Sequence, residues 1–315
     1  MNAAFQPPRM VNMQWMQDGR HYTYVKTDRE SGSRSIMRVD ARSGDEQVLV
    51  DIAGLALPNN AFDGYRWEDN ERFMVITIEE RPIWRRSTIG SYAVFDTQTK
   101  KLTLVPSHDS GVMNVKVSPD GNWVGYVYAD NIWIMNIATG EETQLTSDAA
   151  PGVYNGRFGW VYEEEFSIVD GWQWSPDSKR IAFWQEDERA VPEFTMTNWM
   201  PLYQELIRIR YPKPGENNPV EKIGVIDIAS KERRWMDIGS ETDIYVPRIA
   251  WTRDVNTLCI YRMNRLQNVL ELLFADVRSG TTRTVLTDRS STGWIGVDDG
   301  HHLQFLKKSD HFLWL

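Results

Sequence analysis

Short apolar runs separated by polar turns recur along the whole chain. The runs at Trp123–Tyr128 and Ile181–Trp184 are rich in aromatic and β-branched residues, and they lack a 3.6-residue rhythm. Such runs favour β-strands over helices. The chain is therefore expected to consist mainly of β-strands.

Two turn motifs separate these runs, and both contain residues that favour tight turns. In the first, a bulky residue is followed within three positions by aspartate. Its copies centre on Asp18, Asp69, Asp120, Asp177 and Asp254, with a weaker copy at Asp298-Asp299-Gly300. In the second, an acid or amide is followed three positions later by Ser or Thr, then by Gly or Lys. Its copies begin at Asp40, Asp96, Asn136, Asp227 and Asp276.

The two motifs alternate, so each unit contains two hairpins and about four strands. Successive copies of the first motif are 51, 51, 57, 77 and 45 residues apart. A period near 50 residues with four short strands is typical of a propeller blade. An irregular β-sandwich would not explain two motifs in step. The sequence predicts an all-β fold, a β-propeller of four-stranded blades with about five blades and part of a sixth.

The last repeat is short, since it begins near Asp299 and the sequence stops at Leu315. Propellers normally avoid open strand edges by closing their ring. We therefore expect residues 1–315 to be a partial propeller domain with an incomplete ring.

The spacing breaks around the fourth unit. The link from the second motif at Asn136 to the next first motif at Asp177 is 41 residues long. The spacing from Asp177 to the second motif at Asp227 is 50 residues, about twice the corresponding spacing within the other units. Insertions in repeat proteins map to loops that often form the binding face. The extra length near residues 185–220 predicts an extended arm, and the longer link contains an acidic triplet, Glu163–Glu165.

Aromatic residues flank this triplet, namely Trp160, Tyr162 and Phe166. A solvated acidic turn is one interpretation. The aromatic flanks instead favour packed structure, where adjacent carboxylates need a cation nearby. A ligand ammonium or an arginine of this chain would satisfy that need, and residues 79–87 supply three arginines.

Composition narrows the functional classes. Lys and Arg number 35 against 44 Asp and Glu, a formal charge of −9, which disfavours nucleic-acid binding. The lone cysteine, Cys259, lies in an apolar run and is expected to be buried rather than nucleophilic. No stretch approaches the roughly 18 apolar residues of a membrane span, and no signal peptide is visible. The compartment is not indicated by the residues.

Three separated segments stand out, namely Trp84-Arg-Arg-Ser87, Trp160-Val-Tyr-Glu-Glu-Glu165 and Tyr211–Pro219. Together they resemble the dipeptidyl peptidase IV group of prolyl oligopeptidase-like serine peptidases. Trp84-Arg-Arg-Ser87 is similar to the arginine loop of that family, and Trp160-Val-Tyr-Glu-Glu-Glu165 is similar to its double-glutamate motif. Tyr211–Pro219 resembles the proline-rich stretch that ends the extended arm, and Ser291–Trp294 is a weaker fourth match.

This resemblance implies specific roles. Glu164 and Glu165 would bind the α-ammonium of a peptide substrate, and Arg85 would hold the carbonyl of its first residue. A shift of register would move these roles to Glu163 or Arg86. The resemblance also implies a peptide substrate with a free N-terminus, a downstream α/β-hydrolase domain absent from this chain, a possible homodimer of the full-length protein, and a periplasmic or extracytoplasmic location.

The chain alone is not expected to be catalytic. It contains no Gly-x-Ser-x-Gly nucleophile elbow, and its five histidines lack such a context. His301 and His302 are adjacent, so on a strand they would point to opposite faces and make a poor metal site. No cofactor is implied.

We therefore expect the recognition part of a peptidase that releases Xaa-Pro or Xaa-Ala dipeptides. The alternative is a non-catalytic propeller that binds peptides or acts as a scaffold. A propeller glycosidase is a weak fit, because its two carboxylates must flank a sugar.

Overall fold

The protein is nearly all β in the computed structural model, which describes residues 11–297, 302–306, 309 and 311–315. Antiparallel sheets follow one another along the chain, most of them built from four strand positions. The exceptions to β-structure in these ranges are one short α-helix and two 3-10 turns, Ala53–Leu55 and Pro58–Asn60. This architecture confirms the predicted propeller of four-stranded blades.

Two compact units make up the chain. The first comprises Met1–Arg81 and Ile89–Val117. The strands of its first blade are β1 (Val11–Trp15), β2 (His21–Thr27), β3 (Arg34–Asp40) and β4 (Glu46–Asp51). Those of the second are β5 (Gly64–Trp67), β6 (Phe73–Pro82), β7 (Thr88–Asp96) and β8 (Leu102–Leu104). Each sheet keeps chain order, and Ile36, Met74 and Ile76 are fully buried in the core of this unit.

The third repeat begins with β9 (Met113–Val117), which ends the first unit. Its other strands open the second unit, which comprises Pro82–Thr88 and Ser118–Leu315. They are β10 (Trp123–Tyr128), β11 (Asn131–Asn136) and β12 (Glu142–Gln144), paired in antiparallel order.

The fourth blade explains both irregularities of spacing. Its elements are β13 (Val153–Asn155), α1 (Trp160–Phe166), β14 (Trp172–Trp174), β15 (Arg180–Asp187), β16 (Glu193–Asn198), β17 (Glu205–Arg210), β18 (Val220–Asp227) and β19 (Arg233–Trp235). Both β13 and β14 pair with β15, at its two ends, so they form one strand that α1 interrupts. The hairpin β16–β17 follows β15 and precedes β18 in the sequence. Among the described strands, β16 and β17 pair only with each other.

The fifth blade has the same broken first strand. Its strands are β20 (Ile244–Tyr245), β21 (Ile249–Trp251), β22 (Thr257–Asn264), β23 (Val269–Asp276) and β24 (Thr282–Arg289). A further hairpin, β25 (Leu303–Phe305) and β26 (Phe312–Trp314), belongs to the predicted sixth repeat. The Asp298-Asp299-Gly300 turn and His301 lie outside the described residues.

Side-chain hydrogen bonds explain the second turn motif. The leading acid or amide accepts the backbone N–H groups two and three positions later, as Asp40 does from Arg42 and Ser43. The Gly or Lys that ends the motif has a positive φ, 78° at Gly44 and 60° at Lys100. The remaining copies make the same pair of bonds at Asp96, Asn136, Asp227 and Asp276.

The first motif needs one correction. In the second blade Asn70, rather than Asp69, accepts the N–H groups of Arg72 and Phe73. Asp18 makes the corresponding bonds to Arg20 and His21 in the first blade. An amide oxygen accepts these bonds as well as a carboxylate oxygen does. Centring the motif on aspartate therefore placed its second copy one residue too early, at Asp69 instead of Asn70.

Cys259 is buried, as the apolar run around it predicted. Its thiol is buried in β22, and burial raises its pKa to about 12, so it is not a nucleophile at neutral pH. Across the described ranges, no helix has the length and apolar character needed to span a membrane.

Candidate functional site

The acidic triplet lies on α1, the helix that interrupts the first strand of the fourth blade. Gly159 precedes the helix in an extended conformation, and Ser167 ends it with φ 56° and an N–H that donates to the Tyr162 carbonyl. Gly and left-handed residues of this kind are common at helix ends. The helix is only seven residues long, so its stability must come from packing.

One face of α1 is part of the core of the second unit. Tyr162 stacks on Phe158 with ring centroids 5.0 Å apart, and Phe166 packs edge-on against Tyr245 at 4.9 Å. The Tyr162 hydroxyl accepts the backbone N–H of Val246 at 2.9 Å. These buried contacts of Tyr162 and Phe166 orient the helix and thereby determine where its glutamates lie.

Glu163 points inward and is 2% exposed. Its carboxylate accepts the backbone N–H of Arg86 at 2.5 Å and that of Ser87 at 3.3 Å, and it also accepts the Ser87 hydroxyl. The loop from Pro82 to Thr88 is thereby attached to α1. Because these donors already occupy its oxygens, Glu163 has a structural role in the described structure.

Glu164 and Glu165 are exposed, unlike Glu163. An Oε1 atom of Glu164 lies 3.3 Å from Nη1 of Arg85, whose side chain is 70% exposed. Glu165 accepts a hydrogen bond from the side-chain amide of Gln267, at the turn between β22 and β23. All three sequence-predicted site residues are therefore brought to one helix face and the loop beside it.

The other matched segments also lie near α1. Tyr211, which begins the proline-rich stretch, packs against Trp160 with ring centroids 4.3 Å apart. Ile295, next to Trp294, donates its N–H to the carbonyl of Gln267 at 2.8 Å. The arginine loop and the proline-rich stretch thus contact this seven-residue helix directly, while the fourth segment lies next to a residue bonded to Gln267.

Sequence analysis missed Gln267 and a group of buried carboxyls beneath α1. Gln267 has no motif that would distinguish it, since it is one amide in a polar hairpin turn. The buried group contains Glu186, whose carboxylate accepts the N–H of Gly159 at 2.6 Å. The acidic run Glu186-Asp187-Glu188 could have indicated it, but alternation along β15 is needed to see which carboxyls point inward.

The described residues include no group of three or more His, Cys, Asp or Glu side chains arranged to hold a metal ion. What the exposed site offers is two carboxylates and one guanidinium. Carboxylates accept hydrogen bonds and guanidinium groups donate them, so this set suits a ligand with an ammonium and a carbonyl.

Comparisons with known proteins agree with the fold. The family model described as the dipeptidyl peptidase IV (DPP IV) N-terminal region matches residues 68–315. A probable dipeptidyl peptidase 4 of Aspergillus flavus is 27% identical over 91% of this chain and 38% of its own length. A probable dipeptidyl-aminopeptidase B of Chaetomium globosum is 26% identical over 89% of this chain and 32% of its own length.

Solved structures give the same result. The dipeptidyl peptidase 4 of Porphyromonas gingivalis superposes with a TM-score of 0.84 at 29% identity, covering 95% of this chain and 43% of that one. The present chain thus spans about two fifths of the length of these relatives. Since the family model covers more than half of it, the chain belongs to the family of dipeptidyl peptidase IV N-terminal regions.

Proposed function

We propose that this chain is the substrate-recognition part of a serine peptidase that removes N-terminal Xaa-Pro or Xaa-Ala dipeptides from peptides. The observation that carries the proposal is the pair of exposed glutamates on α1, Glu164 and Glu165, beside the exposed guanidinium of Arg85. Family membership supports the same assignment.

The glutamates are suited to an α-ammonium. Such a group has three N–H donors, and charge-assisted bonds to carboxylates are about twice as strong as neutral ones. Glu163 is occupied by the backbone of Arg86 and Ser87, which favours Glu164 and Glu165 for this role. The backbone of Arg86 is likewise engaged, whereas Arg85 extends toward Glu164.

The ion pair between Arg85 and Glu164 can be exchanged for ligand contacts. Exposed ion pairs stabilise a fold by about 0–1 kcal/mol, so opening this one is inexpensive. A peptide ammonium would replace the guanidinium beside Glu164, and the released Arg85 would donate to the carbonyl of the first peptide residue. In the free site, Glu164 is thus paired with an arginine of the chain itself.

Recognition of this kind measures length from the N-terminus. Carboxylates that hold the ammonium place the second peptide bond at a constant distance, which is positioning rather than bond chemistry. Cleavage would need the Ser, Asp and His of an α/β-hydrolase domain, which we propose as the partner of this chain within the full-length protein. The relatives are more than twice as long as this chain, which supports a further domain.

We also propose that the full-length protein forms a homodimer. The tip of hairpin β16–β17 exposes large apolar side chains, which supports a protein contact there. They are Trp199, Met200, Leu202, Tyr203 and Leu206. Sedimentation of the full-length protein and of its Leu202→Ser variant tests this, with a shift from dimer toward monomer expected.

Peptide cleavage by the full-length protein tests the main proposal. We expect dipeptide release from Ala-Pro-Ala with a free N-terminus, and none from the N-acetylated peptide. Glu164→Gln and Glu165→Gln should raise KM about tenfold, the effect of roughly 1.4 kcal/mol, while Glu205→Gln on the exposed arm should not. Peptide binding without release of any dipeptide would favour the non-catalytic module instead.

A further inference from the structure

Three buried carboxyl groups lie beneath the start of α1, and the contacts proposed for the substrate use none of them. They belong to Glu186, Glu188 and Glu221, each less than 9% exposed. Glu186 on β15 and Glu221 on β18 are direct partners in the antiparallel register, so their side chains leave the sheet on the same face. Two like charges in such a position would repel strongly.

The hydrogen bonds of this pair are incomplete. Oε1 of Glu186 accepts the Gly159 N–H. Within the described residues, Oε2 of Glu186 and both carboxyl oxygens of Glu221 accept no hydrogen bond from an N–H or hydroxyl group. Their positions opposite each other on paired strands nevertheless place the two carboxyl side chains next to each other. A proton on one of them makes it a donor to the other, which satisfies the remaining oxygens and removes the repulsion.

The surroundings favour that proton. Burial, followed by the repulsion of Glu188, raises the pKa of Glu186, whereas the contact with Glu221 lowers it. Burial, followed by Glu186, raises the pKa of Glu221. The Gly159 N–H and Arg157 lower the pKa of Glu186, whereas the carboxylates of Glu186 and Asp187 raise that of Glu221. The other titratable or charged groups around the pair and the adjacent Glu188 are Asp187, Tyr154, Tyr162, Arg157, Asp130 and Arg210.

We propose that Glu221 is protonated and donates to the carboxylate of Glu186, and that Glu186 in turn positions α1 through the Gly159 N–H. Glu186 is then a positioning residue for Glu164 and Glu165. The part that concerns substrate rests on the proposed function, while the proton and the helix contact do not.

The packing at Gly159 explains how a buried carboxylate can control the helix. A Cβ atom at this position would lie 2.5 Å from Oε2 of Glu188 and 2.8 Å from Oε1 of Glu186. The carboxylates therefore lie directly against the backbone that begins α1. The glutamate pair Glu164 and Glu165 follows five and six residues later on the same short helix.

Infrared difference spectroscopy of the full-length protein at neutral pH tests the proton. The wild type minus Glu221→Gln spectrum should show the C=O band of a protonated carboxyl, because the remaining Glu186 is ionised beside an amide donor. The wild type minus Glu186→Gln spectrum should lack that band, since Glu221 keeps its proton. Glu205→Gln is the exposed control. A protonated-carboxyl band of equal size lost in both variants, or in neither, overturns the assignment.

Hydrogen exchange and kinetics test the positioning role. Glu186→Ala leaves the Gly159 N–H without an acceptor, whereas Glu186→Gln retains an acceptor oxygen. In the alanine variant, the backbone amide hydrogens of residues 157–166 should exchange faster than in the wild type. In the glutamine variant they should exchange as slowly as in the wild type. KM for Ala-Pro-Ala should rise about fivefold in Glu186→Ala with little change in kcat, a typical coupling between linked sites.

The outcomes separate the two proposals. If no dipeptide is released but exchange follows the expected order, the positioning of α1 stands and the peptidase function fails. If dipeptides are released and Glu186→Ala matches the wild type in exchange and KM, the positioning role is wrong and the function stands.

Discussion

The guanidinium of Arg85 lies 3.3 Å from the carboxylate of Glu164, although 79 positions separate the two residues. The contact depends on Glu163, which binds the backbone of the arginine loop from the buried side of the same helix. Neighbouring glutamates therefore have different tasks: one attaches the loop, and the next faces the solvent beside its arginine.

Replacing Glu163 should destabilise the fold far more than replacing Glu164. Glu163→Ala leaves two backbone N–H groups and the Ser87 hydroxyl without their acceptor, a loss of about 2–4 kcal/mol. Glu164→Ala removes only an exposed ion pair and should change the free energy of unfolding by less than about 1 kcal/mol. Denaturant unfolding measures both, and equal losses would contradict the assignment of Glu163.

Arg85→Ala should affect substrate binding and leave stability almost unchanged. Its side chain is 70% exposed, so the free energy of unfolding should move by less than about 1 kcal/mol. KM for a free N-terminal peptide should rise about tenfold if Arg85 holds the first carbonyl. Arg86→Ala is the matched control, and a larger rise of KM in that variant would transfer the role to Arg86.

Gln267 should act through Glu165. The amide donates to that carboxylate, so Gln267→Ala leaves Glu165 free to take other rotamers and should raise KM a few-fold, about 0.5–1 kcal/mol. Gln267→Glu places a like charge there and should weaken binding further. Steady-state kinetics at two salt concentrations provides the check, and unchanged KM in both variants would exclude the role.

The buried carboxyl pair predicts a stability that falls as pH rises. Burial, followed by the neighbouring carboxylate of Glu186, raises the folded-state pKa of Glu221 well above the ordinary 4.5. A raised carboxyl pKa gives stability that is fully present below about pH 4.5 and is lost as the pH rises through the raised folded-state pKa.

Glu221→Gln should flatten this dependence. Between pH 5 and pH 8 the wild type should lose about 1–3 kcal/mol more of its free energy of unfolding than this variant does. Parallel pH profiles of the two proteins would show that Glu221 does not carry a shifted titration.

The repeat could be predicted from sequence because each turn uses local chemistry. Asp40 bonds to groups two and three residues away, so the motif is visible in a short window. The displacement at Asn70 arose because an amide and an acid perform the same task. The site was predictable only through family resemblance, since Arg85 meets Glu164 through tertiary packing that no spacing rule encodes.

Other features could not be predicted without the fold. The partnership of Glu186 and Glu221 depends on the register between β15 and β18, which are joined by a 32-residue connection that contains the hairpin β16–β17. The split of the first strand by α1 also needs the sheet, because β13 and β14 are too short to be recognised as halves of one strand.

The most direct test is to compare kcat/KM of the full-length protein for free and N-acetylated Ala-Pro-Ala, in the wild type and in Glu164→Gln/Glu165→Gln. We predict dipeptide release from the free peptide alone, with at least about a hundredfold loss in the double variant, the effect of roughly 2.8 kcal/mol. Equal cleavage of the acetylated peptide, or an unchanged double variant, would contradict the assignment of these glutamates to the substrate ammonium.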